Sequence, residues 1–322
     1  MRILILGAGG MIGQKLAARI ARDGFQGAPA EVIAHDMGFP PSPAPVARQI
    51  VGSVTDPGIM KTLAAERPDV VFHLASIVSG EAEMDFDKGW QVNMFPCWEL
   101  LQALRAEHEA SDGSYRPRIV FTSSIAVFGA PFPDVFDDEF LTAPLTSYGA
   151  QKVICEQMIN DFSRKGFVDG VSVRLPTICV RPGKPNKAAS GFFSGIIREP
   201  LNGQEAILPV ADTVSHMHAS PRSAVGFLLK AAEMETDVLG ARRALNMPGV
   251  ACTVAEQIEA LRDIAGNNVV ALIKREPDPL VERIVAGWPR RYTFERSKAL
   301  GFQAEATFHD IVRTYIEEDL NR

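Results

Sequence analysis

The chain has 322 residues, 46% of them hydrophobic and 22% charged, with a formal net charge of −6 at pH 7. That length and composition allow a large buried core, as two domains or one extended α/β domain. The acidic balance, with no basic cluster, speaks against nucleic acid as the main partner but leaves room for a local patch that holds an anionic metabolite.

Met1-Arg2 leads straight into a run of Ile and Leu, Arg2 to Leu6, so no signal peptide is expected. No apolar run approaches the ~18 residues of a membrane helix, and the chain reads as soluble and cytoplasmic, with no membrane partner. Cys97, Cys155, Cys179 and Cys252 fall at spacings that fit neither a disulfide framework nor a zinc site, so no metal is expected.

Arg2 to Leu6 is short and apolar enough for a strand buried on both faces. It ends in Gly7-Ala8-Gly9-Gly10-Met11-Ile12-Gly13, after which Ile12, Leu16 and Ile20 recur at helical spacing. Strand, glycine turn and helix together make a site for an anion: the turn lets a ligand approach the backbone, and the first helical NH groups point at it. The expected guest is a pyrophosphate, although glycines at 7, 10 and 13 do not reproduce the usual G-x-G-x-x-G spacing.

Glu31 to His35 is the next strand, ending at Asp36, where an acid can accept hydrogen bonds from adenosine ribose hydroxyls. Met37-Gly38-Phe39 offers no cation for a 2′-phosphate, which favours NAD over NADP. Pro40 to Pro45 reads as a surface loop and Pro57 to Glu66 as a helix capped by Asp56. Asp69 to Leu74 is another strand, and a long helix over Asp85 to Glu107 should kink at Pro96. Arg118 to Thr122 is a strand running into Ser123-Ser124. Thr146 to Lys165 is a helix with Ile154, Met158 and Phe162 along one side, and Gly170 to Leu175 a further strand.

The alternation predicts an α/β fold: a Rossmann-type doubly wound parallel sheet with a smaller mixed α/β C-terminal substrate lobe. Beyond Pro176 come a basic loop, Arg181 to Lys187, then Gly191 to Arg198. Ser220 to Glu233, Thr253 to Ala265 and Phe308 to Leu320 read as helices, and Arg243 to Asn246 and Val269 to Ile273 as strands. The expected division is a cofactor domain over 1–175, with 214–247 returning to it, and a substrate lobe over 176–213 and 248–322. Ligands of such sheets sit at the carboxyl ends of strands, where Gly7, Asp36, Ala75-Ser76, Ser124 and Thr177 all fall.

Tyr148 and Lys152 stand at i and i+4, on one helical face. A neighbouring cation stabilises phenolate and suits the tyrosine to act as a general base, while Ser124 at a strand end can hold the substrate oxygen. Tyr148 would then remove a hydroxyl proton while hydride passes to a nicotinamide.

With Gly7-x-x-Gly10-x-x-Gly13, Asp69-Val-Val-Phe-His-Leu-Ala75, Asn93, Ser123-Ser124-Ile-Ala-Val-Phe-Gly129, Tyr148-x-x-x-Lys152 and Arg174 to Gly183, the chain resembles the extended short-chain dehydrogenase/reductase family, which includes NAD-dependent epimerases and dehydratases. The resemblance covers essentially its whole length. It implies NAD held by Gly7, Gly10, Met11, Ile12, Gly13, Asp36, Ser53, Val54, Leu74, Ala75, Asn93, Tyr148, Lys152 and Pro176. It also implies a Ser124, Tyr148, Lys152 triad, with Asn93 supporting the helix near the lysine. The substrate would meet Ser76, Ser124, Ile125, Tyr148, Thr177, Arg181, Lys184 and Asn186. The helices at 85–107 and 146–165 match those that pair subunits in relatives, which implies a homodimer.

Three departures from the epimerase pattern stand out, two of them on the substrate side. Thr177 stands where epimerases commonly carry an Asn that meets the nucleotide sugar's phosphates, and Asp212 to His218 replaces a stretch that usually supplies a diphosphate-binding arginine. Ser53 replaces an adenine-contacting aspartate. The stretch from Pro176 to Phe193 resembles the branch of bacterial D-erythronate dehydrogenases, which implies oxidation of the C2 hydroxyl of a four-carbon sugar acid to a 2-keto acid. An arginine fork such as Arg181 pairs bidentately with a carboxylate. A sugar-nucleotide 4-epimerase with retained NAD and a non-enzymatic NAD(H)-sensing protein are the alternatives. His73 reads as structural; His216 and His218 are read as alternating across a strand, so that at most one faces the cleft. Trp90, Trp98 and the phenylalanines read as core and interface.

Overall fold

The computed structural model describes residues 1–183 and 190–320. Strand β1 (Arg2–Leu6) leads through the glycine turn into helix α1 (Met11–Asp23), followed by β2 (Glu31–Asp36), β3 (Arg48–Val51), α2 (Ile59–Ala64) and β4 (Val70–His73). Next come α3 (Ser79–Met84), α4 (Phe86–Asn93), α5 (Phe95–Glu109), β5 (Arg118–Ser124), α6 (Ser147–Arg164) and β6 (Asp169–Leu175). After β7 (Thr177–Ile178), α7 (Gly191–Leu201), β8 (Ala206–Leu208), β9 (Ser215–Ala219) and α8 (Pro221–Glu233), the strand β10 (Ala244–Asn246) rejoins the large sheet beside β6.

That sheet has seven strands in the order β10-β6-β5-β4-β1-β2-β3, and every neighbouring pair is parallel. Parallel strands need helical crossovers, so both faces are covered and the central strands β1 and β4 are largely apolar and buried. On β1, Ile3 and Ile5 face a core shared with α1 and α8, while Leu4 and Leu6 face one shared with α2, α5 and α6. The strand period of two assigns one run of side chains to two cores.

The rest of the chain is β11 (Val250–Thr253), α9 (Val254–Ala265), α10 (Asn267–Val270), β12 (Ile273–Arg275), α11 (Pro279–Ala286), α12 (Glu295–Ala299) and α13 (Phe308–Glu318). Strands β11, β9 and β7 form a three-stranded sheet and β12 pairs with β8. Phe193, Ile197, Ile258, Leu261, Ile311 and Tyr315 build a third core between α7, α9 and α13. Lys15 of α1 pairs with Glu318 and Asp319 at 3.0 and 2.8 Å, which ties the end of the chain to the large sheet's outer layer.

Four local expectations change. The helix expected from Pro57 begins at Ile59, because Gly58 takes a left-handed φ of +78°; Asp56 instead accepts from the Ser53 NH at 2.8 Å. The helix expected over 85–107 is broken rather than kinked at Met94, and Pro96 sits in the first turn of α5, where its missing NH costs nothing. Val269 and Val270 reach the third core from helix α10 rather than from a strand, and β12 begins at Ile273. On α6 the buried face runs through Lys152, Cys155, Glu156, Ile159 and Phe162, and Ile154 is 36% exposed. β3 is an edge strand that hydrophobic patterning does not announce, its residues Arg48 and Gln49 being exposed. Among the described residues no helix is long and apolar enough to cross a membrane.

Candidate active site

At the carboxyl end of β1 the glycine turn is closed by backbone on every side. Gly7 has φ +84°, and a Cβ there would meet the Ala75 backbone; on Gly9 it would run into the Gly38 carbonyl, and on Gly13 into that of Gly7. Helix α1 starts at Gly10 with no side-chain cap and no acid in its first turn, so its leading NH groups remain available to a pyrophosphate. The Asp36 carboxylate reaches this turn from β2, accepting from the Gly9 NH at 2.9 Å. Uncapped helix start, packed glycines and an acid at the end of β2 fit a dinucleotide whose ribose hydroxyls have no added phosphate. Gly7, Gly10, Met11, Gly13 and Asp36 lie here; Ser53 and Val54 follow β3, next along the sheet edge.

Beyond the turn lies a cavity of about 320 Å³. Ile12, Leu74, Ser76, Ser124, Ile125, Tyr148, Lys152, Pro176, Thr177 and Arg181, ten of the residues singled out from sequence, line it. Lys184 and Asn186 lie outside the described residues.

Tyr148 and Lys152 owe their position to the start of α6, where the Thr146 side chain caps the helix by accepting from the Gly149 NH at 3.1 Å. Lys152 is 1% exposed. Its ammonium donates to the Thr122 carbonyl at 2.8 Å and lies 4.7 Å from the centre of the Phe121 ring and 5.3 Å from that of Tyr148. Ser124 Oγ accepts from the Ala126 NH at 3.1 Å, leaving its own O–H to donate. Asn93 sits behind this wall: its Oδ1 accepts from Ser76 at 2.9 Å and the Ile77 NH at 2.8 Å, and its Nδ2 donates to Gln151 at 2.8 Å. It fastens the loop after β4 to α6.

Beneath the serines lies a buried ion pair that sequence reading missed. Glu156, one turn beyond Lys152, accepts from both Nε and Nη2 of Arg174 at 2.9 and 2.7 Å and from the Ser123 hydroxyl. Arg174 also donates to Asn246 at 3.3 Å, so α6, β5, β6 and β10 meet in one network.

Arg181 follows β7. Its backbone NH donates to Ser194, its Nε to the Ile178 carbonyl and its Nη2 to Ser190, at 3.0, 2.9 and 3.1 Å. Burial lowers the guanidinium from the usual arginine range. Among the described residues no carboxylate pairs with it, whereas neighbouring Arg198 is paired with Glu199 at 2.5 Å.

The two histidines of β9 do not alternate across the strand. Residues two apart share a face, and the rings of His216 and His218 touch edge to face, 5.6 Å apart. Only His216 lines the cavity; His218 lies deeper, beside Gln257 at 2.8 Å. His73 is buried against Phe121 in the sheet, as expected of a structural residue. Gly287, Trp288 and Pro289 also line the cavity. They follow α11 and carry no motif that would mark them beforehand.

The sequence and the fold match known proteins. A model of the NAD dependent epimerase/dehydratase family matches residues 3–220. The chain belongs to that family. With membership come NAD as cofactor and oxidoreductase chemistry at a CH–OH carbon. Among similar members, D-erythronate dehydrogenase of Cupriavidus necator is 42% identical over 99% of this chain and 98% of its own length, and D-erythronate dehydrogenase of Haemophilus influenzae 37% identical over 99% and 100%. A crystal structure described as the nucleoside-diphosphate-sugar epimerase from Agrobacterium tumefaciens is similar with a TM-score of 0.95 and 53% identity, over 99% of this chain and 94% of that one.

Proposed function

We propose that the protein is a dehydrogenase of small 2-hydroxy sugar acids, with D-erythronate the first substrate to try. The observation that carries the reading is Arg181, a cation on the cavity wall with no carboxylate partner among the described residues. A guanidinium in that position suits a substrate carboxylate, which it can grip with two donors. The relatives named D-erythronate dehydrogenase support the same choice.

NAD, held at the glycine turn and Asp36, would supply the acceptor for the hydride of the carbinol carbon. The residues supply the rest. Ser124 donates to the reacting oxygen, and Tyr148 accepts the hydroxyl proton as the C–H bond breaks and the C=O bond forms. Lys152, anchored on the Thr122 carbonyl, stabilises the phenolate by its charge. Asn93 and the Glu156–Arg174 pair hold the loops on which Ser76 and Ser124 sit.

Purified protein should form NADH from NAD and D-erythronate. Tyr148→Phe should lower kcat by roughly 10²–10⁴-fold. Arg181→Gln should raise KM roughly 10–100-fold with a smaller change in kcat. No turnover across a panel of aldonic acids would overturn the reading. The likeness to the Agrobacterium protein makes a UDP-sugar the control substrate; turnover of that compound alone would favour 4-epimerase chemistry on the same residues.

The protein is proposed to act as a homodimer. Phe86, Phe95, Trp98 and Ile154, exposed by 60, 49, 42 and 36%, are apolar side chains left open on α4, α5 and α6, the helices read from sequence as the pairing ones. A reducing interior suits its four unpaired, buried cysteines.

A further inference from the structure

His216 is held rigidly. Phe193 lies parallel to it, at 5° and 5.5 Å between ring centroids, and Trp288 approaches to 5.4 Å. Its Nδ1 is 2.8 Å from the Pro289 carbonyl and its Nε2 2.8 Å from Thr177 Oγ1. A carbonyl oxygen only accepts, so Nδ1 carries a hydrogen. The ring is 2% exposed in an aromatic cage, which keeps it neutral, with that single hydrogen. Nε2 is therefore a lone pair, and the Thr177 hydroxyl must donate to it. With its hydrogen used, Thr177 Oγ1 offers the cavity only lone pairs.

We infer that Thr177 is an obligate hydrogen-bond acceptor for a substrate hydroxyl beyond the reacting carbon, and that His216 is the positioning residue that fixes this polarity through the Pro289 carbonyl. The inference rests on the hydroxy-acid reading of the site and adds an orientation to it. Arg181 can only donate and Thr177 can only accept. A hydroxy acid enters with its carboxylate at Arg181 and its distal hydroxyl at Thr177; the reverse pose sets acceptor against acceptor. A threonine with a free hydroxyl would take either end.

The test compares D-erythronate with 2-hydroxybutanoate, which lacks both distal hydroxyls. Wild type should prefer the hydroxylated acid in kcat/KM. Thr177→Val, which keeps shape but not the oxygen, should reduce that preference roughly tenfold, chiefly through KM for D-erythronate. Thr177→Ser should restore it to within about twofold. A preference unchanged in Thr177→Val, or equal losses on both acids, would overturn the inference. The tautomer is read without turnover from the imidazole ¹⁵N shifts of His216 near neutral pH, assigned by comparison with His216→Gln. A neutral ring protonated at Nδ1 is expected. Protonation at Nε2 overturns the inference even in an active enzyme. An inactive enzyme with the expected tautomer refutes the hydroxy-acid reading alone.

Discussion

Single histidines set the acid sensitivity of this protein. Burial first, then the positive charge of Lys152, holds His73 down to about 3 from its ordinary 6.5. Burial holds His216 at about 4 against the opposing pull of the Pro289 carbonyl, and His218 lies well below its ordinary value for the same reason. Well above pH 6.5, from about pH 7.5 upward, these groups are neutral in both folded and unfolded chains, so they contribute no slope. As pH falls below 6.5 the unfolded chain takes up protons that the folded chain cannot, and stability drops by up to about 1.4 kcal/mol per pH unit for each group. Urea midpoints measured between pH 8 and pH 5 should be flat near pH 8 and fall progressively as pH drops through 6.5; a midpoint that rises on acidification would contradict this. At this scale Tyr148 and Lys152 were legible because a helix puts i and i+4 together whatever surrounds it. The shared face of His216 and His218 also follows from strand geometry, once the period of two is applied correctly.

Helix α6 does two jobs at once. Its first turns present Tyr148 and Lys152 to the cavity, and one turn later Glu156 anchors it to Arg174 on β6 and Ser123 on β5. Removing one partner of a buried pair leaves the other charge unpaired, at a cost of about 3–5 kcal/mol. Glu156→Ala should therefore lower unfolding stability by about 3 kcal/mol or more in urea titrations; a loss below about 1 kcal/mol would show that Arg174 finds another partner. The individual elements were largely legible, β1 from its short apolar run and α1 from Leu16 and Ile20 at helical spacing. The misses came where one residue overrode a pattern: Gly58 turned the chain before α2, and Met94 separated α4 from α5. The Glu156 network was invisible for a different reason, because its members stand 18 or more positions apart.

For the whole molecule, the surface over α4, α5 and α6 is the feature a single chain leaves unexplained. Light scattering on purified protein should give twice the 35.0 kDa of one chain. Trp98→Asp should shift the mass toward one chain by placing a charge in an apolar contact. A wild-type mass of one chain across micromolar concentrations would exclude the dimer. The same helices carry Asn93 and Lys152 on their inner sides, so pairing would stiffen the wall of the cavity from behind.

Local periodicity and short motifs were enough to establish the parallel α/β architecture, the glycine turn with Asp36 and the Tyr148–Lys152 pair, because each depends on residues near one another in sequence. Which side chains meet on the cavity wall, and with what hydrogen-bond polarity, was decided by tertiary structure. Thr177, Arg181, His216 and Pro289 come from β7, the segment after it, β9 and the segment after α11, and their meaning lies in which donor faces which acceptor. Hydrogen-bond polarity is a property of contacts made across the fold, and a one-dimensional pattern does not record it.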